Sequence, residues 1–355
     1  MAPTFVISTG RCGSTLVSRM LRQHPEVLSV SELFSTVRNR GCFDGEPDGA
    51  AFWRMLSEPD PAVDVMVSSG LGVSELVYPY GKGRFRPEDG VPAICHMTLP
   101  MLTDDPDALY DELAAQVPAW PARPIAEQYT ALFTHLAGRF DRPVVVERSG
   151  GSLSMVPDLR RLFPDARFVY LTRNGVDSAR SMSRHAGFWM MLLSREAARL
   201  TGSSSPEQLG PEQIRLLPPT LREYLTTPSK LPELLNSDVP VTAFGAMWAR
   251  MTTEGARELL RLPAEGWMML TYESLVASPG IELTRLADFL GIASPGGWLT
   301  AASELVGRPR RAGGEPDPRL MAALRRSCAP GAAADASLAA AAGLPAPSAF
   351  AAAGV

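Results

Sequence analysis

Lysine is nearly absent from this 355-residue chain: Lys82 and Lys230 are the only two, and arginine supplies the rest of its 34 basic residues. A Walker phosphate loop, G-x-x-x-x-G-K-[ST], needs a lysine for the β- and γ-phosphates, and no lysine precedes Lys82. Cysteine is equally sparse. Cys12, Cys42, Cys95 and Cys328 are scattered without C-x-x-C spacing, so neither a zinc centre nor a disulfide framework is supported, and scattered thiols suit a reducing compartment. No apolar run approaches the ~20 residues of a membrane span. The formal charge of −4 leaves no basic footprint, so nucleic acid is not the expected partner. The chain enters a strand-like run at Thr4, and from that start we expect neither signal peptide nor anchor, but a soluble, cytoplasmic protein. The apolar fraction of 45% is ample for a large core. Length alone suggests roughly two domains, although α/β folds of this size run as one.

What is present is concentrated first in Thr4–Leu21, TFVISTGRCGSTLVSRML. Thr4–Ser8 is a short β-branched apolar run that predicts a buried strand. Thr9–Gly13 is a tight turn with two glycines, and from Ser14 the spacing of Leu16, Val17, Met20 and Leu21 becomes helical. A strand, a glycine-bearing loop and a helix N-terminus gather backbone N–H groups at the positive end of the helix dipole. That is an anion site suited to phosphate or sulfate. Arg11 adds a fixed charge, Cys12 and Gly13 add backbone donors, and Ser14 and Thr15 add hydroxyls.

Further along, His24-Pro25 stops the helix and Leu28–Ser31 reads as a brief strand ending at Glu32. From about 38 to 142 the pattern weakens into helical pieces (Ala50–Leu56, Pro106–Gln116, Ala126–Phe140) between loops, which reads as an insertion covering a ligand edge. Strands follow at Val144–Val146, Arg167–Thr172 and Trp267–Thr271. Helices are expected over Leu153–Phe163, Val241–Leu262 and Ile281–Leu290, and a second insertion over about 188–240. Alternating strands and helices predict an α/β fold, a mainly parallel sheet with helices on both faces. Residues 1–330 read as one domain, and the Ala/Gly/Pro-rich stretch from Gly331 as a partly disordered tail.

A second anion signal lies in Arg167–Met182, RFVYLTRNGVDSARSM. Arg173 ends a strand and Ser181 follows eight residues later in the next helix, so a guanidinium fork and a hydroxyl can meet one phosphate. Ligands of open parallel sheets sit beyond the carboxyl ends of strands, which puts this pair on the same edge as the first loop. Here the chain resembles the sulfotransferase superfamily that uses 3′-phosphoadenosine-5′-phosphosulfate (PAPS). LRQHPEVLSVSE and RLFPDARFVYLTRNGVDSARSM are most similar to the tyrosylprotein-sulfotransferase branch and its bacterial relatives. TYESLVASPGIELTRLADFLGI resembles a later strand–helix segment of the superfamily. The resemblance covers about 4–32, 144–183 and 247–292 and implies a P-loop-like fold with helical insertions. It also implies a 5′-phosphosulfate loop at Arg11–Thr15 and a 3′-phosphate site at Arg173 and Ser181. PAPS is then the co-substrate, with no metal.

On the same resemblance Glu32, 21 residues after Arg11, is the expected base. Arg148 stands where relatives carry a lysine that supports the bridging oxygen; arginine keeps the charge but not the geometry, so an ion-pair role is as well supported. His96 in PAICHMTLP is the second choice of base or an acceptor contact, and His185 a third. Gly307-Arg308-Pro309-Arg310-Arg311 resembles the late basic loop over the 3′-phosphate, giving Arg308 and Arg310 as candidates; a solvated charge run is the plain alternative. Phe188–Leu193 lines an acceptor pocket or fills core. The expected reaction is sulfuryl transfer to a hydroxyl or phenol of a small molecule, sugar or glycolipid. The alternatives are a P-loop-type small-molecule kinase and a non-catalytic adenosine 3′,5′-bisphosphate-binding protein. Oligomeric state is left open.

Overall fold

β1 (Thr4–Ile7) is buried on every residue because it is the central strand of a parallel sheet. The computed structural model describes residues 2–345 apart from 39, 41, 72, 204–208, 228–229, 231–232, 234–238 and 308–316. Within these, β2 (Val27–Ser31), β3 (Val144–Arg148), β4 (Arg167–Thr172) and β5 (Trp267–Thr271) complete the sheet in the order β2-β3-β1-β4-β5. Every pairing is parallel, with Phe5 opposite Glu147 on one side and Phe168 on the other. Full burial on both faces explains why β1 reads as a continuous apolar run rather than an alternating one.

Successive side chains of β1 go to opposite layers. Phe5 and Ile7 join the larger core; the Phe5 ring lies 6.0, 5.4 and 5.8 Å from those of Phe34, Phe163 and Phe168. Val6 joins the other layer, with Val17 and Leu21 of the helix Ser14–Arg22 and Leu283 and Leu286 of the helix Pro279–Leu290. The fold is thus α/β and P-loop-like, with helices on both faces.

The stretch between β2 and β3 is helical and shares the core of β1 instead of forming a lobe: Phe52, Leu113 and Tyr129 pack in the same cluster as Phe5. Two of its helices start where aspartate meets proline. Asp60 caps Pro61–Ser68 and Asp105 caps Pro106–Gln116, each accepting from first-turn N–H groups.

Part of the Ala-rich stretch read as a tail from Gly331 continues the helix Pro318–Ala341 through Pro330; its residues 346–355 lie outside the described ones. Gly331 lies so close to Trp248 and Ala249 that an added Cβ would sit 2.6 Å from the indole. Asp335 is buried and accepts from Tyr170 Oη (2.6 Å) and Thr172 Oγ1 (2.8 Å) of β4. Among the described residues, no helix is long and apolar enough to cross a membrane.

The connections set where a ligand fits. From β1 the chain crosses towards β2, while from β4 it crosses towards β5, so the crevice between adjacent β1 and β4 opens at their carboxyl ends.

Candidate active site

The loop after β1 enters that crevice. Gly10, Arg11 and Gly13 have φ of 80°, 57° and 90°, the left-handed region that turns successive N–H groups to one side. An added Cβ at Gly10 would meet Phe188 at 2.5 Å, and one at Gly13 would meet Tyr272 at 2.4 Å. Glycine is therefore required twice over, by conformation and by the rings that close on the loop. Gly13 O accepts from Leu16 and Val17 to open the helix, and no side chain caps it. Its first-turn donors face the crevice region unclaimed by a cap.

Arg11 bridges the two anion signals. Its Nε donates to Ser181 Oγ at 3.1 Å, joining residues 170 apart in sequence. Its Nη1 donates to Glu75 Oε1 at 2.7 Å. Glu75 Oε2 also lies 3.3 Å from His185 Nε2. His185 Nδ1 accepts from Gly187 N–H, so Nε2 carries the proton turned to Glu75. Burial pushes the Glu75 carboxyl up, but His185 and Arg11 outweigh it and hold it at about 2.

Arg173 follows β4 on the other side of the loop. Its guanidinium carbon lies 4.7 Å over the Tyr272 ring, the same ring that closes on Gly13, and Nη2 is 3.9 Å from Asp177. Its Nε is buried with no hydrogen-bond partner among the described residues. Beyond this point a cavity of about 380 Å³ is bordered by Arg173, Asn174, Glu273, Trp248 and Asp335.

Glu32 and Arg148 form a separate, buried unit. Glu32, at φ 60°, precedes the short helix Leu33–Val37. Its Oε1 accepts from Arg148 Nη1 and its Oε2 from the Gly150 N–H at 2.8 Å. Arg148 Nε donates to Ser18 Oγ of the helix after the loop at 2.8 Å. β2 and β3 are neighbours with Ser31 opposite Arg148, so the pair is fixed by register. Glu147, just before, is fully buried and accepts from Ser149 Oγ at 2.6 Å. Burial pushes it up to about 8, with the nearby Glu32 charge adding to the rise against Ser149 and Arg148.

Other candidates lie apart. His96 is buried within the first insertion, 2.8 Å from Tyr80 Oη and 3.5 Å from Asp64, and burial lowers it to about 4. Arg308 and Arg310 fall outside the described residues. The Cys12 thiol is buried and pushed up by that burial. Phe188 and Trp189 pack into the small core of the helices Gly175–Met182, Val241–Leu259 and Pro318–Ala341, while Phe188 also covers Gly10. No group of three or more His, Cys, Asp or Glu among the described residues is placed to hold a metal.

Sequence reasoning missed Glu75 and Tyr272. Tyr272 directly follows β5, so the carboxyl-end rule that singled out Arg173 applies to it as well. Glu75 carries no local signal; only the folded chain brings it to Arg11.

No protein-family profile and no curated protein matches this chain. Among solved structures it is similar to the sulfotransferase domain from the curacin biosynthetic pathway (16% identity, 85% of this chain and 78% of that one, TM-score 0.42). It is also similar to the sulfotransferase domain of the Synechococcus PCC 7002 olefin synthase (18%, 92% and 87%, TM-score 0.42). A third is a sulfotransferase from Alicyclobacillus acidocaldarius (17%, 97% and 96%, TM-score 0.42).

Proposed function

We propose that this protein is a sulfotransferase that moves the sulfuryl group of PAPS to a hydroxyl or phenol of a small molecule, sugar or glycolipid. The observation that carries the reading is the 3.1 Å contact of Arg11 with Ser181 at the β1/β4 crevice, because it unites two anion-binding segments at one sheet edge. The donor set fits two phosphate-type groups. Left-handed loop N–H groups and Arg11 suit one, and Arg173, with an unpartnered buried Nε, suits the other. Tyr272 lies between them as an aromatic platform.

In the reaction the bond from sulfur to the donor's bridging oxygen breaks as a bond from sulfur to the acceptor oxygen forms, and the acceptor's proton passes to Glu32. Positioning and electrostatics dominate, as in phosphoryl transfer. Arg148 and the Gly150 N–H orient the Glu32 carboxylate. Arg11 and the loop N–H groups meet the charge that develops on the moving group and its leaving oxygen.

Glu32→Gln removes the base and keeps the side chain's shape. Turnover of PAPS against a panel of phenol, alcohol and sugar acceptors should fall by about 10²- to 10⁴-fold, the usual contribution of a general base. Binding of adenosine 3′,5′-bisphosphate should stay as in the wild type. Undiminished turnover would remove Glu32 from the mechanism.

A further inference from the structure

Arg11 is the cation of the anion loop, yet its guanidinium already has an acid on it. Glu75 belongs to the link that follows the helix Pro61–Ser68. At one end the link is tied by Ser69, Gly70 and Leu71 N–H groups to the carbonyls of that helix. At the other, Val77 and Tyr78 N–H both donate to His96 O, at 3.0 and 3.2 Å. Between these ties the Glu75 carboxylate takes three donors: Arg11 Nη1 at 2.7 Å, Ser74 Oγ at 3.0 Å and His185 Nε2 at 3.3 Å. Gly70, at φ 72°, gives the link a left-handed turn near its start.

Glu75 holds Arg11 Nη1 and Ser181 holds Nε, so an anion that takes Nη1 must take it from Glu75. An anion seated beside Glu75 instead would lie against its charge in a half-buried crevice where repulsion is poorly screened. We propose that Glu75 is an internal ligand of the anion site, standing where an oxygen of the donor's phosphosulfate binds, and that the donor displaces it. The inference rests on the reading that Arg11 binds the donor.

Three consequences follow from the contacts. Donor affinity is lower than the loop alone would give, because the competent state is the one with Glu75 released. Release also frees His185 Nε2, whose acceptor is Glu75. When product leaves, Glu75 returns to Arg11 and competes with adenosine 3′,5′-bisphosphate for it. Donor occupancy and the position of the first insertion over the crevice are therefore coupled.

The test is calorimetric titration of the full chain, wild type and Glu75→Gln, with adenosine 3′,5′-bisphosphate and separately with inorganic pyrophosphate. The neutral amide should compete poorly, so both ligands should bind about tenfold tighter to the variant, equivalent to ~1.4 kcal/mol. In an Arg11→Ala background the same substitution should change nothing. In the wild type, amide exchange at Val77 and Tyr78 should accelerate on adding either ligand, a readout that needs no variant to fold. Unchanged or weaker binding in Glu75→Gln, or exchange indifferent to ligand, overturns the proposal. Equal nucleotide binding by both proteins would discard the role of Glu75 and leave the sulfotransferase reading intact. Tighter pyrophosphate binding with no binding of the nucleotide would keep Glu75 as internal ligand and discard PAPS as donor.

Discussion

Arg11 and Arg148 are both paired with glutamate beside the same loop, but in opposite circumstances. The Arg11 side chain is 26% exposed and its partner Glu75 16%, and the pair joins segments from different parts of the chain. Arg148 and Glu32 are 3% and 6% exposed, set by the register of adjacent strands and closed by Ser18 and Gly150. The first is an ion pair that another anion can take apart. The second is permanent, since removing either partner would leave a desolvated charge. On the proposed reading, binding uses the exchangeable arginine and proton transfer uses the glutamate held by the fixed one.

The largest expected effect breaks the fixed pair. Arg148→Met should lower unfolding free energy by about 3–5 kcal/mol, the cost of stranding a buried charge. The same change at Arg11 should cost only about 1 kcal/mol, because the pair is partly solvated and Glu75 keeps His185. Urea unfolding of the two variants decides this; similar losses would erase the distinction between them.

A pH-dependent effect comes from Glu147, the neighbour of Arg148 in β3. Its folded-state pKa is raised from the ordinary 4.5 to about 8, mainly by burial. A carboxyl raised on folding adds stability that is fully present below its unfolded pKa and is lost as pH rises through the folded one. Between pH 5 and pH 8 the wild type should therefore lose stability relative to Glu147→Gln. Glu75, lowered to about 2, titrates below this window and does not interfere. A constant difference between the two proteins across the range would show that Glu147 is not held neutral by its site.

The legible parts of the molecule are those with local causes. Arg167–Thr172 and Trp267–Thr271 were readable as strands because β-branched, aromatic and aliphatic runs end at turn signals. Pro106–Gln116 was readable as a helix because Asp105 and Pro106 mark its start. Parallel pairing and helices on both faces followed from the alternation of elements. The helix through Pro330 was not readable: Ala, Gly and Pro there look like linker, and only Trp248 against Gly331 and Asp335 against Tyr170 and Thr172 hold it on the sheet. The site shows the same division. The residues themselves marked Arg11, Arg173 and Ser181, and the family resemblance added Glu32 and Arg148; neither anticipated that Arg11 and Ser181 touch. Glu75 was invisible because its contacts cross 64 and 110 residues, a distance no local pattern encodes.

The central claim is a donor site for a nucleotide with a 3′-phosphate. Calorimetric titration of the wild type and Arg173→Ala with adenosine 3′,5′-bisphosphate, ATP and AMP tests it most directly. Losing a charge-assisted contact of about 1.5–3 kcal/mol should weaken the bisphosphate roughly ten- to a hundred-fold in the variant. The wild type should prefer it to both other nucleotides. ATP binding as tight or tighter, and indifferent to Arg173, would contradict the account.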